Sequence, residues 1–414
     1  MTRPQSPMEQ ANPPAATKPR ISLAARLLAW LSGLGLATVL LLLIGLLTWL
    51  ATLEQIDSGL YHTLRKYFDW RAWYIIPEIG GTTVLLPLPG GYWVCALLAL
   101  NLTLGGLLRW RRDWQRVGVF IAHMGIIYLL VAGAVAHHFS QRGHMRIADG
   151  ATSNTAEDYF EHVVEVAEIK DGKPDVIQVI GGQYLTDLTG SASRSVSLSK
   201  MPIKLEFSGW LRNAEPTPVD ENTSHAGATA CDGYYLMPKP DKVEAEANTP
   251  GCVVQVDLGE GGKPETFLLS SAALEPVTLR HGERIFTMVL RKRLWLMPFA
   301  VRLDKFTADF HPGTMKPSKF VSEITRIEDG RQAKAVIQMN EPMRYANLTF
   351  YQASYDQLGQ GPTAKMASVL EVVSNPADKW PQYSLYVVAF GLLVHFVAKL
   401  AGFILARSRH NPHV

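Results

Sequence analysis

The chain has 414 residues, of which 47% are hydrophobic and 19% are charged, and its formal net charge is only +3. Four runs contain no Asp, Glu, Lys or Arg; they cover residues 27–53, 79–108, 117–141 and 380–398. About 18 or more mostly apolar residues are enough to cross a bilayer as a helix. The composition therefore excludes a wholly soluble protein and predicts a multi-pass membrane protein. The small net charge gives no indication of a nucleic-acid partner.

Basic residues beside these runs predict an orientation. Clusters lie at 18–26, 109–116 and 407–409, and four crossings place all three on one side, which the positive-inside rule makes the cytoplasm. We predict, in chain order, a disordered cytoplasmic tail (1–21), a first span (22–53), an extracytoplasmic aromatic loop (54–90), a second span (91–108), a cytoplasmic loop (109–116), a third span (117–138), an extracytoplasmic domain (139–380), a fourth span (381–405) and a cytoplasmic tail (406–414).

The predicted extracytoplasmic domain has the pattern of a β-rich fold. Apolar and polar residues alternate in 202–207, 252–258, 285–290, 300–306, 320–327, 347–354 and 367–373, with Gly, Pro, Asn or Asp between most of these segments. This pattern predicts antiparallel strands in a sandwich or a distorted barrel between the third and fourth spans. The segment 213–250 lacks periodicity and is predicted to be a long surface insertion.

The loop 54–90 is rich in aromatic residues, namely Tyr61, Tyr67, Phe68, Trp70, Trp73 and Tyr74. An amphipathic segment lying on the outer leaflet accounts for this composition and is the favoured interpretation. The less favoured alternative is an aromatic wall against a planar ligand.

Two histidines lie inside apolar runs. His123 follows Arg116 at a distance of about 10 Å along a helix, and His395 lies at a similar depth from the same side. An ionisable group in hydrocarbon is a functional candidate by default, and neutral imidazole is a good iron ligand. On spacing alone, an interhelical hydrogen bond is the favoured explanation for each of them.

Two further sets of candidates lie outside the spans. His137, His138 and His144 cluster where the third span emerges; a solvated helix end is favoured, and a set of outer-face ligands or a proton relay is the alternative. Cys231 and Cys252 lie in the predicted extracytoplasmic domain, where disulfides persist. Two alternatives are open: a disulfide bridge that clamps the stretch between them, or two free thiols. No C-x-x-C motif supports a redox-active pair.

Several catalytic motifs are absent. The sequence has no P-loop, no G-x-S-x-G, no H-E-x-x-H and no C-x-x-C-H. The chain is therefore not expected to be an ATPase or hydrolase of these classes, or a c-type cytochrome. Its apolar runs hold no paired carboxylates, which argues against an ion-coupled transporter.

Five segments carry a family resemblance. They are TLEQIDSGLYHTLRKYF (52–68), LPLPGGYWVCALLALNL (86–102), HMGIIYLLVAG (123–133), HPGTMKPSKFVSEITRI (311–327) and NEPMRYANLTFYQASYD (340–356). Together with the order of three spans, a β-rich domain and a last span, they resemble the ResB family of cytochrome c biogenesis, system II. The last segment is the most specific, with N-x-P-x-R-Y followed by F-Y-Q-x-S-Y. The resemblance extends over residues 22–405.

The resemblance implies a subunit that acts with a tryptophan-rich membrane partner of the ResC (CcsA) type. Such pairs carry haem across the membrane and attach it to the reduced C-x-x-C-H motif of apocytochrome c. In the family a transmembrane histidine of the ResB half, with one from the partner, holds haem within the membrane, and the matching position here is His123. His395 matches no family role and stays a weak candidate. The partner's tryptophan-rich motif is absent, so no complete catalytic site is expected in this chain.

The resemblance also implies a place in the bacterial cytoplasmic (inner) membrane and haem as a transient cofactor. The expected partners are the ResC-type subunit, apocytochrome c, a thioredoxin-like thiol reductant and the lipid bilayer, but no nucleic acid. The alternative function is an extracytoplasmic scaffold that recruits a partner protein without contacting haem.

Overall fold

The structure is a computed structural model that describes residues 22–108, 116–201, 203–219, 229–258, 264–314, 317–358 and 365–410. Two compact units divide these residues. The helical unit takes the described parts of 1–49, 89–130 and 382–414, and the β unit takes those of 50–88 and 131–381. The predicted tail 1–21 and nearly all of the predicted loop 109–116 lie outside the described residues, so the orientation stays a prediction.

Six α-helices lie in the described parts of the chain: α1 (Leu23–Leu31), α2 (Leu34–Ser58), α3 (Leu60–Phe68), α4 (Gly91–Leu102), α5 (Val117–Phe139) and α6 (Trp380–His410). α4 continues as a π-helix over Thr103–Leu108. Of the described helices, three (α2, α5 and α6) are long and apolar enough to cross a membrane. Gly91–Gly106 forms a shorter apolar helix, so the second of the four predicted spans stays a prediction.

The predicted first span, 22–53, is observed as two helices. α1 ends at Leu31, and α2 begins at Leu34. Between them, Nδ2 of the buried Asn101 on α4 donates to the carbonyl oxygens of Leu31 (2.6 Å) and Gly33 (3.0 Å). The last carbonyls of a helix need partners, above all where water is absent. The break therefore depends on a polar residue from another helix, which a hydropathy pattern does not reveal.

Small residues bring α5 and α6 into close contact. On α5, Gly118, Ala122 and Gly125 recur at one-turn spacing, and Gly391 of α6 packs against this stripe. A Cβ atom at Gly391 would lie 2.5 Å from N of Ala122 and 2.7 Å from O of Gly118, so no side chain fits there. Oγ of Ser384 on α6 donates to O of Gly125 at 2.8 Å. Such stripes let membrane helices approach closely, and here they fix the rotation of α5.

The β unit contains these strands: β1 (Tyr74–Ile75), β2 (Glu78–Ile79), β3 (Thr82–Thr83), β4 (Leu88–Pro89), β5 (Gln141–Ala148), β6 (Thr152–Lys170), β7 (Lys173–Ile180), β8 (Ser193–Ser197), β9 (Lys204–Leu211), β10 (Ala214–Pro218), β11 (Tyr234–Pro238), β12 (Gly251–Asp257), β13 (Glu265–Ser270), β14 (Val277–His281), β15 (Arg284–Phe310), β16 (Pro317–Glu328), β17 (Arg331–Gln338), β18 (Met343–Tyr345), β19 (Leu348–Leu358) and β20 (Lys365–Ser374). One sheet has the order β13-β12-β9-β8. A larger sheet has the order β17-β16-β15-β6-β5-β20-β19-β18, with β14 beside β15 and β7 beside β6. The remaining described strands form two-stranded sheets: β1 pairs with β4, β2 with β3, and β10 with β11.

The two longest strands, β6 and β15, take part in two hydrophobic cores. In the first core, Phe286 and Leu290 of β15 pack with Phe207 of the four-stranded sheet, which makes this part a sandwich. In the second core, Phe299 of β15 packs with Phe350 of β19, and the large sheet curves around them until β17 approaches β19. The predicted β-rich domain with antiparallel sheets is confirmed, with a sandwich and a barrel-like sheet side by side along the same two strands.

The predicted strands differ from the observed ones in two respects. Each segment of alternation overlaps a strand, but 285–290 and 300–306 belong to the single strand β15. The segment 213–250, predicted as an aperiodic surface insertion, contains the paired strands β10 and β11, and Tyr235 and Leu236 of β11 are buried. Its alternation is too short to stand out among the prolines and acidic residues around it.

A buried carboxylate holds α3 in place. Glu54, in the part of α2 that belongs to the β unit, is 2% exposed. It accepts from Nζ of Lys66 (2.5 Å), from the hydroxyl of Tyr67 (2.8 Å) and from N of Glu78 (3.0 Å). Burial, together with the hydrogen bond to Glu54, raises the pKa of Tyr67. α3 is thus packed into the β unit, a role that the interfacial interpretation of the loop 54–90 does not include.

Candidate functional site

His123, the main candidate from the sequence, lies half-buried on α5 beside the π-helical segment. A Cβ atom at Gly106 would lie 2.8 Å from Nδ1 of His123 and 3.2 Å from its Cγ. The imidazole ring therefore fits against residue 106 because this residue has no side chain. π-helical turns are rare in proteins, and those that occur are often found at functional sites. The helical unit therefore holds an imidazole between apolar helices, at a place shaped to receive it.

His395 has different surroundings. It lies on α6, where its backbone N and Cα face Gly118 of α5, so it belongs to the close contact between these two helices. Its Nδ1 atom is buried and has no hydrogen-bond partner. The structure therefore does not place the two histidines in equivalent positions, although their depths in the sequence are similar.

A cavity of about 730 Å³ lies in the β unit beside α3. Aromatic and basic side chains line it, including Tyr61, His62, Arg65, Phe160, His162 and Arg212. The rings of Tyr61 and Phe160 stack with their centroids 3.7 Å apart and an interplanar angle of 16°. The guanidinium of Arg212 donates to the carboxylate of Asp241 at 2.8 Å. This volume lies within the range of ligand sites, which is roughly 300–1,000 Å³.

A bulge in β6 supplies one wall of this cavity. His162 pairs with Lys292 of β15 and Glu157 pairs with Leu294, so residues 158–161 bulge out of the ladder. Oδ1 of Asp158 accepts from the backbone N–H groups of residues 160 (2.7 Å) and 161 (2.8 Å) and closes the bulge. Bulges redirect side chains, and this one turns Phe160 towards the ring of Tyr61 on α3, on which it stacks.

The segment 213–250 supplies another wall. Gly59, before the first residue of α3, has a φ of +75°, and a Cβ atom there would clash with O of Val243. Asp241 and Ala245 line the cavity. Because the walls come from three distant parts of the chain, spacing in the sequence does not reveal this cavity. The aromatic composition of the loop 54–90 is the signal that points to it.

The two imidazoles of the cavity are held neutral. Burial, followed by the charge of Lys292, lowers the pKa of His162 to about 4. Burial, followed by the charge of Arg212, lowers the pKa of His62. Nε2 of His62 is buried and has no hydrogen-bond partner. A neutral imidazole keeps a lone pair, but this nitrogen has no exposed surface and its hydrogen-bonding capacity is unused.

Acidification is expected to destabilise the β unit through His162. The unfolded chain takes up this proton near the ordinary pKa of 6.5, whereas the folded chain takes it up only near 4. Stability that is fully present above pH 6.5 is therefore lost as the pH falls towards 4, by at most about 3 kcal/mol. Between about pH 7 and about pH 4.5, the thermal midpoint of His162→Gln should fall less than that of the parent protein. Equal falls would contradict this prediction.

The three outer histidines do not form one site. His137 and His138 end α5 with their ring centroids 5.0 Å apart. His144 lies on β5, where its Nε2 atom is 3.2 Å from the carboxylate of Glu157 and its hydrogen bond lowers the pKa of that group. Within the described ranges, no group of three or more His, Cys, Asp or Glu residues is arranged to hold a metal ion.

The two cysteines of the β unit are separate thiols. Sγ of Cys231 donates to O of Thr266 at 2.8 Å, whereas Cys252 is buried in the first core. Cys252 pairs with Leu269 of β13, which is about 10 Å along that strand from Thr266. A bridge requires Cα atoms within about 7 Å, so of the two open alternatives the structure has the two free thiols. Burial raises the pKa of Cys252 to about 12.

The motif N-x-P-x-R-Y builds one end of the second core. The hydroxyl of Tyr345 donates to Glu328 at 2.5 Å, and the guanidinium of Arg326 lies 3.4 Å from the centroid of its ring. Ala346 and Asn347 both have positive φ, as the two central residues of a tight hairpin of the I′ type require. The motif thus sets the β18–β19 hairpin.

Comparison with known proteins agrees with this structure. Residues 270–376, from the last residue of β13 to just past the end of β20, match the model of the ResB-like family. No curated protein matches the chain significantly. The matched part contains both late motifs, and the chain has apolar helices of membrane-spanning length on either side of it. The chain is therefore similar to the ResB-like family over residues 270–376 and has helices long and apolar enough to cross a membrane.

Proposed function

We propose that this chain helps to carry haem across a bacterial cytoplasmic membrane and, with a ResC-type partner, presents it for attachment to apocytochrome c. The ResB-like family implies a part in cytochrome c biogenesis in general. The observation that carries the proposal is the imidazole of His123, which lies against Gly106 among apolar helices. Haem is the cargo, and His123 is its proposed axial ligand.

The chemistry of the cargo supports this assignment. Neutral imidazole binds haem iron without bringing a charge into an apolar interior. The macrocycle is largely apolar and suits the surface of apolar helices. The β unit, which we place on the extracytoplasmic side, is the proposed docking part for apocytochrome c or the ResC-type subunit. A thioredoxin-like reductant is a further expected partner, because haem attachment needs reduced cysteines.

The test is the haem content of the complex. The chain is co-expressed with its ResC-type partner and purified, and reduced-minus-oxidised spectra are recorded. His123→Ala is expected to lose most of the haem signal, whereas the matched variant His395→Ala keeps it. Imidazole added to His123→Gly should restore part of the signal, which a packing role would not allow. An unchanged spectrum in His123→Ala would refute the ligand assignment and favour the scaffold alternative.

Gly106 provides a second test of the same site. In Gly106→Ala, the new methyl group would take the position that lies 2.8 Å from Nδ1 of His123, so the ring must move. We expect the haem to be retained less tightly and its absorption maximum to shift. Gly45→Ala is the matched control, since a Cβ atom there has no neighbour within 4 Å. The same spectrum in both variants would contradict the prediction.

A further inference from the structure

We infer that Asn101 is a positioning residue for His123 and that it acts through the π-helical segment at the end of α4. Asn101 and Gly105 fasten this segment to the break between α1 and α2, and Gly106 of the same segment contacts the imidazole. All of these residues belong to the helical unit. That the positioned imidazole receives haem rests on the proposed function, whereas the position itself does not.

The first contact joins α4 to the helix break through hydrogen bonds. Asn101 is 4% exposed, and both hydrogens of its amide nitrogen are used, one on the carbonyl oxygen of Leu31 and the other on that of Gly33. An aliphatic side chain has no donor for these carbonyls, and an apolar membrane interior offers no water in its place. Asn101 therefore ties both sides of the break to one point on α4.

The second contact lies one turn further along, within the π-helical segment. A Cβ atom at Gly105 would lie 2.7 Å from O of Ser32 and 3.4 Å from its carbonyl carbon, so the two backbones approach closely because residue 105 has no side chain. Residues four apart share a face of a helix, and both Asn101 and Gly105 meet the break. This face of the segment is therefore fixed by one polar contact and one close backbone contact.

The next residue of the segment faces α5. A Cβ atom at Gly106 would lie 2.8 Å from Nδ1 of His123 and 3.4 Å from its Cβ. Consecutive residues of a helix point in different directions, so Gly105 can meet the break while Gly106 meets the imidazole. The π-helical segment thus lies between the break and His123. When the break no longer restrains this segment, the surface against which the imidazole packs moves with it.

The inference is tested on the full chain in detergent without haem. Diethyl pyrocarbonate modifies accessible imidazoles, and peptide mass spectrometry gives the modification rate of each histidine in one sample. Asn101→Leu removes both donors and should raise the rate at His123 severalfold, while the rate at His395, which lies at the contact between α5 and α6, stays unchanged. Asn101→Gln keeps the amide and should show a smaller rise.

Two further variants complete the experiment. Gly105→Ala should raise the rate at His123 through the other contact, so the test does not depend on the folding of Asn101→Leu alone. Thr103→Val is the matched control on the same segment, because the hydroxyl of Thr103 donates within its own helix to O of Ala99 at 2.8 Å. It should leave the rate at His123 unchanged.

An unchanged rate at His123 in Asn101→Leu and Gly105→Ala would overturn the inference. Equal rises at His123 and His395, or an equal rise in Thr103→Val, would do the same, because they indicate a general loosening of the helices. The outcome is separable from that of the proposed function. If His123→Ala keeps all the haem of the complex while Asn101→Leu still alters the reactivity of His123, the proposed function fails and this inference stands. If His123→Ala loses the haem while Asn101→Leu and Gly105→Ala leave the reactivity of His123 unchanged, the inference fails and the proposed function stands.

Discussion

Replacing Gly118 by leucine is expected to separate α5 from α6 and to lower the free energy of unfolding by about 3 kcal/mol. A Cβ atom at this position would clash with N of His395 and with O of Gly391, both of which are backbone atoms that cannot turn away. Separation of the helices would also release the rotation of α5 on which the position of His123 depends. We therefore expect loss of stability together with loss of haem.

The matched control lies on the same helix. A Cβ atom at Gly133 has no neighbour within 4 Å, so Gly133→Ala should leave the thermal midpoint of the purified chain unchanged or raise it slightly. The thermal midpoint of Gly118→Leu should lie well below those of Gly133→Ala and of the parent protein. Similar thermal midpoints for the two variants would show that the contact between α5 and α6 does not depend on glycine at position 118.

Glu54→Ala is expected to produce the second large effect, a loss of about 3 kcal/mol. The substitution removes the acceptor of the buried Tyr67 hydroxyl and of N of Glu78, and it leaves Lys66 without its close partner. Since the side chain of Lys66 is 31% exposed, water can reach this cation, which keeps the loss at the lower end of the range for a broken buried pair. Glu54→Gln retains a carbonyl acceptor and should lose less.

The measurement combines thermal melting with hydrogen exchange. Amides of α3 should lose protection in Glu54→Ala, because the helix is held by these contacts. Asp57→Asn is the control, since Oδ2 of Asp57 accepts only an exposed hydrogen bond from N of Gly80 (3.1 Å). Unchanged protection of residues 60–68 in Glu54→Ala would contradict the account of how α3 is held.

Periodicity and hydropathy predict much of the fold, because they report which faces meet water. The runs around His123 and His395 correspond to α5 and α6, and each alternating segment overlaps a strand. The same signals fail where polar contacts decide the structure. The helix break at Ser32 depends on Asn101, and the packing of α3 depends on Glu54, and neither contact changes the local pattern.

The candidate sites differ in the same way. A histidine inside an apolar run is unusual in itself, so His123 can be identified from the sequence. Its neighbour Gly106 cannot, because only the structure shows that a missing side chain makes room for the ring. The cavity of the β unit combines His62, Phe160 and Arg212, which are far apart in the chain. These three residues come together only because β6 bulges at Phe160 and α3 packs beside it.

The strand β15 has a consequence for the length of the chain. Its buried residues are even-numbered in the first core, as at Phe286 and Leu290, and odd-numbered from Met297 to Leu303 in the second. Side chains alternate strictly along a strand, so this change is absorbed where the register against β6 shifts, between Lys292 and Val301. Deleting or adding one residue there would turn one whole core inside out, whereas an exchange of residue type would not. Length, more than composition, is what the fold constrains in this interval.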